Sequence, residues 1–229
     1  MPIRRELNHD FFKKWSPEMA YVLGYFAADG SMVRNQRGAH FIEFTTVDPT
    51  LLSQVRKAVQ SNHLISTRTR NDTKWKMQYR LQIGSKRWFE SLSELGFTPA
   101  KSKKLCLPPT PKKYFGHFVR GYFDGDGSVH FNRYWSKWHK KRVWVFTSRF
   151  TSGCRLFLVN LHRKLCSHGL LGGYITRKTK GFELVFSRHD SLALHRLMYH
   201  TAPISPLYLP RKRHKLERAI RILKLRMRE

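Results

Sequence analysis

The segment that decides the fold reads Val22-Leu23-Gly24-Tyr25-Phe26-Ala27-Ala28-Asp29-Gly30-Ser31. It returns, with the offset 126 − 29 = 97 residues, as Val119-Arg120-Gly121-Tyr122-Phe123-Asp124-Gly125-Asp126-Gly127-Ser128. Each copy is an apolar helical run that ends in Asp-Gly, with two small residues four apart and so on one helix face. Small residues at this spacing let helix backbones approach closely, so we expect the two helices to pack about a pseudo-twofold axis.

The similarity between the two halves continues beyond these strings. Phe44-Thr45-Thr46 resembles Phe150-Thr151-Ser152, and Arg80-Leu81-Gln82-Ile83 resembles Glu183-Leu184-Val185-Phe186. The order of segments is kept while loop lengths change, which indicates two copies of one fold. We therefore predict an α+β chain in which each half reads helix, two strands, helix, two strands, helix. The predicted division is an N-terminal half over 1–104, a linker over 105–110 and a C-terminal half over 111–229.

Start signals and alternation of apolar residues predict the individual elements. Ser16-Pro17 and Thr110-Pro111 each offer an N-cap followed by proline at the first helical position. Alternation predicts two hairpins in each half. The paired strands are 31–33 with 40–46, 64–69 with 76–83, 127–131 with 143–151, and 172–177 with 182–186, and the segment 132–142 is predicted as a loop.

The charge balance points to a polyanionic partner. Forty-four Lys and Arg face fifteen Asp and Glu, a formal net charge of +29. Nucleic acid relieves this repulsion, because each cation placed on a phosphate releases a counterion. An anionic membrane is the competing partner, but no apolar run approaches the roughly 20 residues needed to span a bilayer, and no apolar signal core begins the chain. We expect no membrane association.

The cysteines predict a reducing, intracellular setting, either a bacterial cytoplasm or an organelle. There are three, too few for a disulfide framework and odd in number. A metal site could be drawn from Cys154, His162, Cys166 and His168, but their spacing matches no zinc template, so we interpret them as ordinary residues of a helical stretch.

The repeated Asp-Gly is the candidate for chemistry. A carboxylate at a helix C-terminus is unfavourable by about 0.3–1 kcal/mol. If the two helices are parallel, Asp29 and Asp126 converge and repel further unless a cation lies between them. Carboxylate and carbonyl oxygens suit Mg²⁺, which also favours phosphate oxygens. One Asp-Gly after a helix is usually a turn, but its recurrence in register favours metal-assisted phosphodiester cleavage.

Both strings, Leu23 to Gly30 and Arg120 to Gly127, resemble the two motifs of single-chain LAGLIDADG homing endonucleases, and the order of the flanking elements is also similar. The resemblance implies a saddle of two antiparallel sheets, with the motif helices at the interface between the halves. It implies Mg²⁺ bound by Asp29 and Asp126 with the carbonyls of Ala28 and Gly125; Mn²⁺ or Ca²⁺ would be substitutes. It also implies an intron- or intein-encoded monomer that cuts both strands of a long asymmetric target across the minor groove.

The resemblance implies further site residues and includes one departure. The earlier acidic position of the motif is Asp124 in the second copy but Ala27 in the first, so the halves are not equivalent. Lys101 and Lys212 are the candidate basic residues of the catalytic site, which order the nucleophilic water near each metal, and Asp48 occupies the strand-end position where a polar residue is expected. Each lysine also lies in a basic run, where a solvated or phosphate-facing role is the alternative.

Polar side chains on alternate strand positions are the predicted readers of DNA bases in the major groove. The candidates are Arg34, Gln36, Arg37, Arg68, Arg70, Gln78, Arg80, Gln82, His130, Asn132, Arg133, Arg149, Arg177 and Arg188. The aromatic residues Tyr134, Trp135 and Trp138 either clamp flanking DNA or pack beneath their own loop. The tail 211–228 is predicted as a basic helix packed by Leu216, Ile220 and Leu223.

Two other functions fit the same pattern. The chain is either a double-strand DNA endonuclease, or an intron RNA maturase or DNA-binding regulator of the same fold without cleavage. Host intron RNA is therefore a second candidate partner beside double-stranded DNA. A purely binding protein has no need for both aspartates, which favours the enzyme. The ordered repeat and the aromatic content argue against a ribosomal or structural protein.

Overall fold

The computed structural model describes residues 5–68, 77–99, 104–202 and 205–226. The helices are α1 Pro17–Asp29, α2 Pro49–Ala58, α3 Lys86–Glu94, α4 Phe115–Asp126, α5 Arg155–Cys166, α6 Arg188–Tyr199 and α7 Pro210–Ile222. The strands are β1 Gly30–Arg34, β2 His40–Thr46, β3 Ile65–Arg68, β4 Gln78–Gly84, β5 Gly127–Ser136, β6 Lys141–Ser152, β7 Tyr174–Lys178 and β8 Gly181–Phe186. The predicted αββαββα order is confirmed in both halves, and the second half adds α7.

Two four-stranded antiparallel sheets carry the fold, in the orders β1-β2-β4-β3 and β5-β6-β8-β7. The α+β saddle predicted from the resemblance, with the motif helices at the interface, is confirmed. The segment 105–111 between the halves contains no helix or strand. The domain boundary placed there stays a prediction. Within the described residues, no helix is long and apolar enough to cross a membrane.

Each sheet has one face covered by helices and one open face. In the first sheet, Ile42 pairs with Ile83 and Phe44 with Leu81, and all four side chains are buried. The neighbouring pair positions alternate to the other side of the sheet, as the two-residue period of a strand requires. The apolar face packs on the helices, so the remaining polar positions form a continuous open surface.

The two motif helices begin differently, which corrects one expectation. Ser16 caps α1 as predicted, because its hydroxyl accepts a hydrogen bond of 3.0 Å from the Met19 amide. The second helix starts at Phe115, after a 3-10 turn over Lys112–Tyr114. Thr110 does not cap that helix, since its hydroxyl donates to the Pro108 carbonyl and its side chain is buried. Packing of the linker has overridden the local start signal.

The predicted loop 132–142 is also wrong. Most of it is strand, since β5 and β6 pair continuously from Gly127 with Phe150 to Ser136 with Lys141. Trp144 stacks on Phe131 with centroids 4.3 Å apart, and Phe131 meets the Phe146 ring edge to face. These cross-strand aromatic contacts stabilise a hairpin longer than the polar residues of the segment suggested.

The basic C-terminal helix is shorter than predicted. It ends at Ile222 rather than continuing to 228, and Lys224 has a positive φ of 47°. Its packing residues are as expected, because Leu216 is fully buried and Ile220 and Leu223 lie against the core.

Contact between α1 and α4 forms the centre of the molecule. A Cβ atom on Gly24 would lie 2.0 Å from the Phe118 carbonyl oxygen, and one on Gly121 would lie 2.0 Å from that of Tyr21. The two contacts mirror each other, as a pseudo-twofold axis requires. The glycines therefore serve close backbone approach, the role that the sequence predicted.

Replacing Gly121 by alanine tests this packing. Although alanine favours a helix by about 1 kcal/mol, the backbones must separate, so we expect Gly121→Ala to destabilise the protein by about 3 kcal/mol. Gly84→Ala is the control, because its Cβ would meet its nearest neighbour, the Phe41 ring, at an ordinary 3.5 Å. Urea denaturation measures both variants, and an unchanged midpoint for Gly121→Ala would contradict the packing argument.

Candidate functional site

The two motif helices run parallel, so their Asp-Gly ends meet. Gly24 lies against the backbone of Phe118 and Tyr122, whereas Gly125, further along α4, lies against Ala28 and Asp29 at the end of α1. A Cβ on Gly125 would be 3.1 Å from Asp29 Oδ2. The Asp29 carboxylate thus reaches the end of the opposite helix.

Asp29 and Asp126 are the last helical residues of α1 and α4, and both are partly exposed. The glycines that follow are not left-handed helix stops, since Gly30 has φ −85° and Gly127 has φ −88°. A Cβ at these positions would instead strike the rings of Phe26 and Phe123 at 2.1 and 2.3 Å. Each glycine lets the chain turn directly from helix into strand over a buried aromatic ring, which fixes where the aspartate emerges.

Lys212 lies buried at the end of α4. Its ammonium donates to the carbonyls of Phe123 (2.7 Å), Asp124 (2.7 Å) and Gly125 (3.0 Å). These contacts engage its three protons and place a positive charge at the negative end of the helix. Lys212 therefore fixes the backbone that leads to Asp126, and its donors are committed to protein atoms rather than to water.

The surroundings of Lys212 link it to both aspartates. Burial lowers the pKa of its ammonium to about 8, a shift that the charges of Asp124, Asp29 and Asp126 oppose, while Arg211 adds to it. Lys212 Nζ lies 3.0 Å from the Gly125 carbonyl oxygen, and a Cβ on Gly125 would lie 3.1 Å from Asp29 Oδ2, so this ammonium lies near the end of both motif helices. The expected convergence of the two aspartates is supported from both helices.

Asp124 forms a buried cluster that the sequence did not predict. Its Oδ2 accepts hydrogen bonds of 2.8 Å from the Tyr21 hydroxyl and the Leu209 amide. Burial raises the pKa of its carboxyl to about 6, although Tyr21, Lys212, the Leu209 amide and Arg120 all pull it down. The cluster ties α1, α4 and the start of α7 together.

Arg120 is the second buried charge of this cluster. It donates to the Met198 carbonyl at 2.6 Å, and its guanidinium lies 5.4 Å from the centre of the Tyr21 ring. The corresponding residues of the first motif are Leu23 and Ala27, for Arg120 and Asp124 respectively. The second motif thus has charged residues where the first has apolar ones, and this difference is the signal in the sequence that the two halves are not equivalent.

The other predicted catalytic positions fare differently. Lys101 lies outside the described residues. Asp48 caps α2, since its Oδ1 accepts a hydrogen bond of 3.2 Å from the Leu51 amide. Its other oxygen lies 4.0 Å from Arg211 Nε. One oxygen of the Asp48 carboxylate thus caps a helix, and the other faces the exposed Arg211.

The donor set suits a hard divalent cation. The carboxylates of Asp29 and Asp126 and the carbonyls of Ala28 and Gly125 present oxygen alone, as Mg²⁺ and Ca²⁺ prefer. The Gly125 carbonyl keeps a second lone pair beside its bond from Lys212. Within the described ranges, no group of three or more His, Cys, Asp or Glu could hold a metal. Any ion bound here would complete its coordination with water or phosphate oxygens.

Cys154, His162, Cys166 and His168, once considered as ligands, have other surroundings. His162 Nε2 lies 2.9 Å from the Gly172 carbonyl and His168 Nδ1 lies 2.8 Å from that of Lys164. Both cysteines are free thiols.

The open faces of the sheets hold part of the predicted DNA-reading set. In the first sheet, Gln82 pairs with Glu43 and Arg80 with Thr45, all at open-face positions, and Gln78 shares that face and pairs with Arg68 along the backbone. In the second sheet, the open-face positions include His130, Asn132 and Arg149. Register thus brings these predicted readers together on the two polar surfaces.

The remaining predicted readers lie elsewhere. Three of them occupy strand positions on the same side of the sheet as the buried residues: Arg34, Arg133 and Arg177. Their side chains reach solvent only near the strand ends. Gln36 and Arg37 lie in the exposed β1–β2 turn. Arg188 begins α6 and donates to the Trp144 carbonyl. Arg70 lies outside the described residues.

Two acidic residues on the open faces were missed. Glu43 lies 3.5 Å from Arg80 and accepts a 2.5 Å hydrogen bond from Gln82. Glu183 lies 3.5 Å from Arg149 and 2.5 Å from Lys178. Each glutamate orients basic or amide side chains of neighbouring strands, which only the register reveals.

A groove of about 500 Å³ over the first sheet was also missed. The N-terminal segment contributes Arg5 and His9 to its lining, opposite Arg80 and Gln82. No sequence motif connects residues 5–9 with β4; the chain's return past the sheet creates this basic groove.

The comparisons with known proteins agree with this geometry. Residues 16–95 match the family model described as a LAGLIDADG-like domain. Over 92% of both chains, the structure resembles the K262A mutant of I-SmaMI with a TM-score of 0.62 and 14% identity. It resembles the homing endonuclease I-WcaI bound to its DNA recognition sequence over 90% of both chains, with a TM-score of 0.63 and 14% identity. The chain therefore has the fold of single-chain LAGLIDADG proteins, and residues 16–95 are similar to a LAGLIDADG-like domain.

A curated relative of another kind also matches. It is the DNA-directed RNA polymerase subunit Rpo1C of Methanocaldococcus jannaschii, 27% identical over 135 residues. These residues are 58% of this chain but only 14% of that protein. The similarity thus concerns a small part of a much longer polypeptide.

The role of Lys212 can be measured by its removal. We expect Lys212→Met to destabilise the protein by about 1–3 kcal/mol, because three carbonyls at the end of α4 lose a charged donor. Lys215→Met, on the exposed side of the same helix, is the control and should change stability by less than about 0.5 kcal/mol. Equal stability of the two variants in thermal or urea unfolding would show that the contacts at α4 contribute nothing.

Proposed function

We propose that this chain is a site-specific endonuclease that cuts both strands of a long, asymmetric double-stranded DNA target. It acts as a monomer, because one chain supplies both motif helices. Hydrolysis depends on divalent metal, with Mg²⁺ as the natural ion and Mn²⁺ or Ca²⁺ as substitutes in the site. The dependence on divalent metal is supported by one structural neighbour, I-SmaMI bound to uncleaved DNA target in the presence of calcium ions.

The convergence of Asp29 and Asp126 carries this proposal. Both carboxylates lie at the ends of parallel helices, where each is disfavoured by the helix dipole and by the other. The Lys212 ammonium offsets part of this repulsion, but a protein that only binds DNA has no need to keep both carboxylates together. The arrangement is explained by a cation that both carboxylates share, next to a polyanionic substrate.

The surrounding residues perform binding and positioning. The open faces of the two sheets bind the duplex, and Arg80, Gln82, His130 and Arg149 contact the base edges and phosphates. Lys212 holds the end of α4 and so the direction of the Asp126 carboxylate. The positive charges of Lys212 and of the neighbouring Arg211 also attract the backbone of the DNA.

The metal would be held by Asp29, Asp126 and the carbonyls of Ala28 and Gly125. A bound divalent ion supplies neutralisation of phosphate charge and a water of lowered pKa. Lys101 stays the candidate for the second basic residue near the scissile phosphates. Lys212 positions the end of α4 and does not contact the water directly, because its three protons are donated to carbonyl oxygens.

Cleavage by aspartate variants tests the proposal. The substrate is a duplex with the uninterrupted sequence of the locus that carries the gene, incubated with Mg²⁺ or with EDTA. We expect metal-dependent double-strand cuts at one position, reduced more than about 100-fold by Asp29→Asn or Asp126→Asn, because an amide is a poor ligand without charge. Asp10→Asn, an exposed carboxylate that pairs with Lys13, is the matched control and should cut normally.

Binding in EDTA separates the alternatives. The two asparagine variants should retain duplex affinity, since the substitution leaves the open faces unchanged. Tight sequence-specific binding without cleavage by the unmodified protein would instead identify a DNA-binding regulator. Preference for structured intron RNA over duplex DNA at matched salt would identify a maturase.

A further inference from the structure

The β5–β6 hairpin is much longer than its counterpart in the first half. β5 pairs with β6 at ten positions, whereas β1 pairs with β2 at five. The strand β8 covers β6 only from Ser148 to Ser152. The segment from His130 to Thr147 therefore projects beyond the four-stranded part of its sheet, and we name it the hairpin arm.

The hairpin arm is stiff at its base. Phe131 and Phe146 are buried, Trp144 stacks on Phe131, and the Arg133 guanidinium lies 5.6 Å from the Trp144 ring centre. Arg188 of α6 donates to the Trp144 carbonyl from the side. These contacts hold the arm as an extension of the second sheet. The open face of the arm therefore continues the open face of that sheet.

Charge along the arm has one sign. No Asp or Glu occurs between Asp126 and Glu183, while the arm carries five Lys and Arg: Arg133, Lys137, Lys140, Lys141 and Arg142. At the tip Trp138 is 90% exposed and Trp135 63% exposed, so neither packs beneath the turn. Exposed aromatic rings among exposed cations form a surface that favours a nucleic-acid backbone with accessible sugars or bases.

The open face of the arm offers contacts suited to base edges. His130, Asn132 and Tyr134 alternate on β5, and the Tyr134 hydroxyl lies 2.9 Å from His130 Nε2. Opposite them lie Val143 and Val145, whose methyl groups suit the thymine methyl in the major groove. The arm thus combines direct base contacts on its face with phosphate contacts at its tip.

We propose that the hairpin arm binds duplex DNA beyond the reach of the first half's hairpin, so that the two half-sites differ in length. Five additional strand positions extend about 17 Å at roughly 3.3 Å per residue. At about 3.4 Å per base pair this length corresponds to roughly five base pairs. The DNA half-site bound by the C-terminal half of the chain is therefore longer than the other half-site by roughly five base pairs. This inference rests on the proposed function, because it requires that the open faces bind DNA.

Binding to a series of trimmed duplexes tests the inference. Starting from the cleaved target, base pairs are removed from either end and affinity is measured at fixed salt in EDTA. We expect affinity to depend on about five more base pairs on one side of the cleavage position than on the other. Hydroxyl-radical footprinting should show the same asymmetry.

Variants of the arm assign the longer side. Trp138→Ala should fold normally, because its ring is solvent-exposed, yet lose about 5- to 10-fold in affinity and lose sensitivity to the outermost base pairs. A triple variant removes three charges near the tip: Lys137→Gln, Lys141→Gln and Arg142→Gln. It should reduce the slope of log affinity against log salt concentration by up to about 3. Leu156→Ala, an exposed apolar residue on α5, is the control for Trp138→Ala and should change neither quantity.

The outcomes separate this inference from the proposed function. Specific cleavage with equal flanks, or arm variants that leave the footprint unchanged, would refute the arm's role while the endonuclease stands. Absence of specific duplex binding by the unmodified chain would overturn both.

Discussion

The packing of α1 on α4 is the constraint on which the rest of the structure depends. Gly24 and Gly121 let each backbone lie against carbonyl oxygens of the other helix. Because this contact is made from both sides and the helices are parallel, their last residues emerge together. Two sheets then follow directly from the helix ends at Gly30 and Gly127, so one contact sets both the position of the aspartates and the placement of the open faces.

The two halves share this frame but stabilise it differently. Around the first motif the corresponding positions are apolar, Leu23 and Ala27. Around the second, the buried charges of Arg120, Asp124 and Lys212 hydrogen-bond to backbone groups and to Tyr21. Buried charges are tolerated where they are paired and hydrogen-bonded, and they specify one arrangement of the elements they join. The cluster joins α7 to the motif interface, so the added helix is part of the site's support.

Electrostatics distinguishes the surface from this interior. The net charge of +29 makes the isolated molecule repel itself, and the open faces carry part of that charge, including Arg80 and Arg149. Glu43 and Glu183 lie within these basic faces and hold Arg80 and Arg149 in place. Such pairs limit the conformations of long side chains in the free protein, which would reduce the entropy lost in the proposed binding of DNA. Under the proposed function, the specificity depends on these held cations together with the exposed cations at the tip of the hairpin arm.

The sequence by itself determined the repeat, the order of elements, the small residues of the interface and the two aspartates, because each of these is a local pattern repeated in register. It did not determine that Lys212 caps α4, that Glu43 and Glu183 lie among the basic side chains, or that Thr110 is buried in the linker instead of starting a helix. Nor did it reveal the strand pairing of residues 132–142, where cross-strand contacts of Phe131 and Trp144 outweigh a polar local composition. These features join residues as much as 89 positions apart, and such contacts depend on register and on the turns of the chain, which only the tertiary structure decides.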